Sequence, residues 1–523
     1  TYTNDSQLGS TVTVPYYFAL SDNYDFTFAP TYTEKAGTLL QGQWRHQLAN
    51  GAYNLNLYGV FNPQGDPATP AGEDFRGSLD SLGKFALDPY FALGWNVQAD
   101  TDDTFRRFYN IDNKFKTDRV SQVYVEGLHD RNYFSTRLYN TGGLELYDTP
   151  VSEAWVLPVV DYDYIVNQPI MGGELSFNSN LTSLTSHGAP DSTRLTSEVN
   201  WRRQMIDGIG QVYTPFAQLR GDVYDVSNFT DPSNNLPSNG TTALGNAVAG
   251  IDYRYPFVAT TGTITHVLEP IGQIIARPNS IGNQQAIPNE DANSLVFDDT
   301  LLFDIDKFSG YDRIETGTRA NVGAQYTAQF YSGAYARAVF GESYQLAGAN
   351  EFALSAPGSG LDTDRSDYVS GLYIQATTNL SVSGQTRFDQ ASWEIRRTDL
   401  GTTAQYGPAQ LRMDYADVKN APGLGQGNTQ QEIYTIGSLA LTDTWSLIGN
   451  ARFDLELSRW VQDGVGLQYQ NDCFTLGVTY LETNVKDLDI QPDTTFMVNF
   501  SLKDLGSYSF KTNAFGLAGD LPY

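Results

Sequence analysis

From Thr11 to Leu20 the chain alternates. Val12, Val14, Tyr16, Phe18 and Leu20 share one face of an extended strand, and Thr11, Thr13, Pro15, Tyr17 and Ala19 share the other. Ser21-Asp22-Asn23 supplies a turn, after which Tyr24, Phe26, Phe28, Pro30 and Tyr32 alternate with Asp25, Thr27, Ala29, Thr31 and Thr33. The pattern predicts one β-hairpin over residues 10–35. Each of its strands carries a proline, which has no N–H for a ladder, so pairing around this hairpin is expected to be weak.

The same period of two recurs along the chain. Tyr53, Leu55, Leu57, Gly59 and Phe61 alternate with Asn54, Asn56 and Tyr58. Pro215, Ala217, Leu219, Gly221 and Val223 alternate with Phe216, Gln218, Arg220 and Asp222, and Trp445, Leu447, Gly449, Ala451, Phe453 and Leu455 with Asn450, Arg452, Asp454 and Glu456. In a soluble sandwich the apolar face would be the core. Here strand after strand bears aromatics near the ends of that face, as interfacial girdles require, so the apolar face is expected toward lipid and the polar face toward a lumen.

The connections agree with this reading. Short turns at 130–132, 378–379, 407–408 and 442–444 alternate with long polar stretches at 62–75, 100–116, 228–244, 278–299, 346–366 and 419–430. About 25 strands are visible, and an even total near 26 is expected because bacterial barrels are even. The fold class is all-β, a large antiparallel transmembrane β-barrel of about 26 strands. No blade-length repeat supports a soluble propeller or solenoid.

Composition sharpens this picture. The 523 residues hold no Pro/Gly/Ser-rich linker or compositional shift, so 1–523 is expected to form a single barrel domain. The formal net charge of −28 argues against nucleic acid as a partner. There is no apolar run of about 18 residues, which excludes a transmembrane helix but not barrel strands. No charged-then-apolar signal segment opens the chain, which is read as mature or truncated. The single cysteine, Cys473, has no partner for an internal disulfide.

Candidate chemistry is sparse. His46, His129, His187 and His266 lie far apart, and none sits in an H-E-x-x-H motif or beside a G-x-S-x-G elbow. Asp298, Asp299, Asp304, Asp306, Asp312 and Glu315 could offer oxygen ligands to calcium. Asp304-Ile-Asp306 nevertheless lacks the glycine and terminal glutamate of an EF-hand loop, so a solvated or salt-bridged cluster is the expectation. No nucleotide loop occurs. No catalytic residue, metal site or cofactor is read from these residues.

The motif Ile287-Pro-Asn-Glu-Asp291, Ser294, Phe297-Asp-Asp299, Leu302-Phe303 and the run Phe308-Ser-Gly-Tyr-Asp-Arg-Ile-Glu-Thr-Gly-Thr-Arg319 resembles the central barrel motif of the LptD family of lipopolysaccharide-assembly proteins. Gly250-Ile-Asp-Tyr-Arg-Tyr-Pro-Phe257, His266-Val-Leu-Glu-Pro270, Leu157-Pro158 with Asp161, Val14-Pro-Tyr-Tyr-Phe18 and the stretch from Phe496 to Gly506 are similar to other parts of that family. The resemblance implies an outer-membrane translocon of a Gram-negative bacterium, not an enzyme. Its 26-stranded barrel is plugged by an LptE-like lipoprotein and fed by a periplasmic LptA-like bridge, and it delivers lipopolysaccharide into outer-membrane lipid.

The resemblance also implies a periplasmic jelly-roll domain, which no stretch before Ser10 is long enough to supply. Cys473 matches one of the family's paired cysteines, implying half of a disulfide to that missing domain at the periplasmic rim. The family's first and last strands are thought to part sideways, and Pro15 and Pro30 match its proline positions. The expected lateral gate therefore lies between the strand containing Pro15 and the strand 495–503. Its residues are Val12, Val14, Pro15, Tyr16 and Pro30 on one side and Phe496, Val498, Asn499 and Phe500 on the other. A passive or plug-gated outer-membrane channel is the alternative, and an outer-membrane hydrolase with a Ser–His or Asp–His pair assembled from separate strands is a second.

Overall fold

The computed structural model describes residues 1–66, 74–112, 114–148, 153–231, 236–278, 281–293, 295–419, 429–486 and 491–502. Ser294, residues 503–506 and most of the stretch 419–430 lie outside them.

The alternating runs are strands, and they close into an antiparallel barrel. Where only a proline or a bend interrupts a run (9–19, 24–33, 191–206, 240–261), counting it once gives 26 staves. Each pairs with its neighbours in sequence, as in the long ladder between Val212–Ser227 and Gly240–Arg254. The period-two pattern sorts side chains as read. Leu219 and Leu128 are each 62% exposed on the outer wall, whereas the largest fully buried side chains include Arg76, Arg106, Arg107 and Arg319. Leucine outside and arginine inside is the reverse of a soluble protein and the arrangement of a barrel standing in lipid.

The turns at 20–23, 49–50, 130–131, 378–379, 407–408, 441–444 and 471–473 share one end, and the connections 62–74, 101–117, 228–239, 277–317 and 348–367 share the other. In outer-membrane barrels the long loops face outward. Two expected loops change length. The one read as 228–244 ends at 239, because Gly240–Arg254 is wall, and the one read as 278–299 continues to 317, where Thr318–Phe330 begins.

The ring closes differently from the sequence expectation. A strand Tyr2–Asp5 pairs with Gly9–Thr13 on one side, through Tyr2↔Val12, Thr3↔Thr11, Asn4↔Ser10 and Asp5↔Gly9. On its other side it pairs with Asp493–Leu502 through Tyr2↔Val498, Thr3↔Met497 and Asn4↔Phe496. The strand containing Pro15 is thus second in the ring and does not pair directly with the last. The Tyr2–Asp5 strand fits because Tyr2 continues the outer apolar face between Val12 and Val498, while Thr3 continues the polar inner face between Thr11 and Met497.

Candidate functional site: the seam and the lumen behind it

Both prolines interrupt the first hairpin without shifting its register. Thr13 faces Thr31, Tyr16 faces Phe28, and the ladder breaks at 14–15 and 29–30. Val14 N donates to Pro30 O at 3.3 Å, but Pro30 has no N–H to return the bond. Thr13 N donates the other way, to Thr1 O at 2.9 Å. Successive peptide groups alternate sides, so Pro15, in phase with Thr13, withholds its donor from the edge on the side of the Tyr2–Asp5 strand, beyond which the last strand lies. Beyond it, among the described residues, Tyr16–Ala19 pairs only with Tyr24–Phe28. Val12, Val14, Tyr16, Phe496 and Phe500 stand exposed on the outer wall, and Asn499 follows Thr495 and Met497 on the inner phase. The nine expected gate residues therefore gather in one region, with the Tyr2–Asp5 strand between their two groups.

Behind this seam lies a lumen cavity of about 960 Å³ whose wall includes Thr3, Thr11, Thr13, Thr495 and Met497. Its roof at the long-loop end is the connection 101–117. A single helical turn, Phe105–Phe108, buries Phe105, Phe108 and Tyr109 against Leu8, Ala36, Leu39 and Val60, and Tyr109 Oη donates to Ala36 O at 2.9 Å. Arg76 reaches Asp66 and Asp102, each at 2.6 Å, and Arg106 reaches Asp100 at 2.7 Å, Asp112 at 2.6 Å and also Asp80. Asp102 is held below the usual carboxylate range, because the Arg76 pair and nearby hydroxyls outweigh the opposing effect of burial.

The far side of the lumen is filled by the segment 281–317, which carries the central motif. Phe297, Leu302 and Phe308 pack on Phe352, Leu361 and Val369, and Ile287 and Ile314 pack on Tyr224, Val226 and Leu244. Two polar nodes fix it. At the first, Arg194 from the wall holds Asp291 at 2.8 Å and Asp312 at 2.6 Å, Tyr224 Oη donates to Asp312 at 3.3 Å, and Arg220 donates to Tyr311 O. Asp312 also accepts from the backbone N of Glu290 (2.7 Å) and Asp291 (3.2 Å). Burial and the neighbouring Asp291 push Asp312 upward, against the pull of Arg194. Gly310, at φ +70°, lets the chain turn back over the Asp291 carboxylate, where a Cβ would lie 2.3 Å from it.

At the second node Glu315, with a side chain 1% exposed, lies 2.8 Å from Arg319 Nε and 3.4 Å from Arg277 Nη2, and it accepts from Lys307 N at 3.3 Å. Burial alone would raise Glu315, but Lys307, Arg277 and Arg319 hold it low. Lys307 itself is pushed down to about 8 by burial, with Glu315 opposing.

Asp312 and Glu315, read among the possible calcium ligands, are therefore engaged by protein donors, and Asp306 accepts from Phe308 N at 3.0 Å. Asp299 accepts from Tyr373 Oη at 3.1 Å and Gln385 at 3.0 Å, over Gly371, where no Cβ would fit. Asp298 caps its own turn at Thr300 N. His46 contacts Asn23 and Tyr53, His129 sits by Asp130 and Tyr90, and His266 bonds Thr261 and Tyr326. Cys473 is exposed in the turn 471–473, one residue before the strand Phe474–Thr483. The inward partners Arg194, Arg220 and Tyr224, the strand Tyr2–Asp5, and the pair Lys114 and Asp493 are structural features that the sequence reading missed.

The family model for LPS transport system D (LptD) matches residues 74–445. The LPS-assembly protein LptD of Sodalis glossinidius (strain morsitans) is 24% identical over 99% of this chain and 70% of its own length. That of Shewanella sp. (strain ANA-3) is 23% identical over 92% of this chain and 63% of its own length. The chain thus spans about two thirds of the relatives it matches. Among solved structures, the siderophore receptor PiuA of Acinetobacter baumannii overlays 95% of this chain and 80% of its own, with TM-score 0.26 and 10% identity.

Proposed function

From the premise that this chain belongs to the LPS transport system D (LptD) family, as a β-barrel of the Gram-negative outer membrane, we propose that it is the membrane-spanning part of a lipopolysaccharide translocon. Lipopolysaccharide leaves sideways through the seam between the last strand and the first hairpin. Its acyl chains pass into outer-membrane lipid while the sugar chain occupies the cavity. The observation that carries this reading is the short ladder Tyr2↔Val498, Thr3↔Met497 and Asn4↔Phe496 that closes the ring, with the cavity directly behind it and Pro15 withholding a donor on the same side of the first hairpin. Pro30 weakens the adjoining ladder, so the hairpin yields where the seam must part.

The parting line runs between Tyr2, Thr3 and Asn4 and their partners Val498, Met497 and Phe496, because the Tyr2–Asp5 strand is tied to Gly9–Thr13 by a tight turn. In that turn Asp5 accepts from the backbone N of Gln7 at 2.9 Å and of Leu8 at 2.6 Å. The filled half of the lumen favours this route over an open channel, since the segment 281–317 occupies the bore opposite the seam. An LptE-like lipoprotein and an LptA-like bridge are the partners that belong with this function. Cys473 at the short-turn rim suits a disulfide to a periplasmic domain.

The test is a lock. Thr3 and Met497 are directly opposed, within the Cα separation a disulfide spans. In the full-length protein with its native companions, oxidised Thr3→Cys/Met497→Cys should stop lipopolysaccharide from reaching the surface, and reduction should restore delivery. Full-rate delivery with the link complete would overturn lateral opening.

A further inference from the structure

One carboxylate crosses the seam at its long-loop end. Asp493 opens the last strand, and its Oδ1 accepts from Ser6 N at 2.9 Å, in the turn that joins Tyr2–Asp5 to Gly9–Thr13. Its Oδ2 meets Lys114 Nζ at 3.3 Å. Both partners lie on the hairpin side of the parting line. The two side chains are only 12% and 7% exposed, so bulk salt screens this pair poorly.

Lys114 is itself anchored. The buried Arg107 donates from Nε to Lys114 O at 3.1 Å, and the turn Phe105–Phe108 before it packs on Leu8 of the same hairpin turn. The strap therefore rides with the first hairpin and reaches across the lumen side of the seam to the last strand. The ladder beneath it runs only Tyr2↔Val498, Thr3↔Met497 and Asn4↔Phe496. One buried ion pair added to so short a ladder is a large share of what resists parting.

We propose that Lys114 and Asp493 form a clasp that sets how often the seam parts, with the strap 101–117 as its anchor and Arg107 as the residue that positions Lys114. This rests on the lateral-opening reading. Opening begins at the outer-leaflet end by loss of this pair and then runs down the ladder from Asn4↔Phe496 through Thr3↔Met497 to Tyr2↔Val498. Lys114 and Asp493 act as positioning residues for the gate and need touch no substrate.

The experiment uses the full-length protein in its native complex, with nitroxides on noncanonical amino acids at Val12 and Phe496, both on the outer wall, so that Cys473 stays native. Lys114→Met removes the ammonium, and Asp493→Asn removes the charge while keeping an acceptor for Ser6 N. Each should raise the long-distance population by at least about tenfold. The double variant should do no more than either single, since both delete one interaction. Lys114→Arg should keep the wild-type distribution.

Unchanged distances in Lys114→Met, or effects that add in the double variant, would overturn the clasp. If the oxidised Thr3→Cys/Met497→Cys lock left delivery at full rate, lateral opening itself would fail. A lock that blocks delivery beside a Lys114→Met seam that stays shut would refute the clasp alone.

Discussion

Glu315→Gln should release the segment 281–317 from the wall while the barrel stays folded. The carboxylate is within 2.8 Å of Arg319 and 3.4 Å of Arg277, receives Lys307 N, and is shut away from water on every side. Glutamine keeps the shape and one acceptor oxygen but leaves Arg277, Arg319 and Lys307 facing one another in a low-dielectric site. Removing one member of a buried pair costs about 3–5 kcal/mol, which shifts the docked-to-released ratio by on the order of 10²- to 10³-fold. Strand ladders do not depend on this node, so the loss falls on the segment. Hydrogen exchange should accelerate across 301–316 and stay unchanged in the wall strands, and single-channel recordings should show new, larger openings. Asp298→Asn, which touches only its own turn, is the control and should change exchange little. If exchange in 301–316 were unaltered in a folded Glu315→Gln barrel, the view that this buried network holds the segment would be wrong.

Pro15→Ala restores a backbone donor in phase with Thr13 N, on the Tyr2–Asp5 side of the first hairpin, and a hydrogen bond gained there would be worth about 1 kcal/mol; slower surface delivery of lipopolysaccharide checks it. Tyr109→Phe removes the bond to Ala36 O and should loosen the strap by a similar amount, seen as faster exchange over 104–111. Lys307, held near 8 when docked against 10.5 when released, makes the released state the better proton binder between those values, so docking tightens as pH rises through that window. Protease protection of 281–317 should therefore rise from pH 7 to pH 9, corrected for protease activity on an unfolded substrate, and Lys307→Met should flatten the dependence. Each cation on the cavity wall is engaged, Lys114 by Asp493, Arg412 by Asp414 and Arg452 by Glu432. Phosphorylated lipopolysaccharide should therefore bind weakly there, and tight, magnesium-independent binding would contradict it.

The wall was legible because a period of two is read directly from residues. Leu219 and Arg220 sort to opposite faces whatever surrounds them, and turns such as 378–379 announce themselves by composition. The strand Tyr2–Asp5 was not legible: Tyr-Thr-Asn-Asp carries a single apolar residue, and its place is fixed by what flanks it in space, Val12 and Val498. The motif from Ile287 to Arg319 was legible as a resemblance but not as a structure, because an inward-folded segment has no face and therefore no period. Its acids were read as a possible ion site, yet their counter-charges stand far off in the chain. Arg194 lies 97 residues from Asp291 and 118 from Asp312, and local spacing carries no trace of such pairs.

That blindness has a physical pattern. Side chains facing lipid answer to one solvent and obey one rule, so sequence reports them. Side chains facing the lumen answer to one another. Lys114 and Asp493, 379 residues apart, are ordinary surface residues by every local measure and become neighbours only when the ring closes. The first hairpin sits where the two regimes meet. Its outer face is written in Val12, Val14 and Tyr16, its prolines mark where the ladder fails, and the ion pair that reaches it from the last strand comes from a loop that sequence reads as polar filler. On the proposed lateral opening, a seam that parts without unfolding the barrel is best closed by contacts of this kind. They lie outside the strand ladders, so they can break and reform while every other ladder of the wall stays paired.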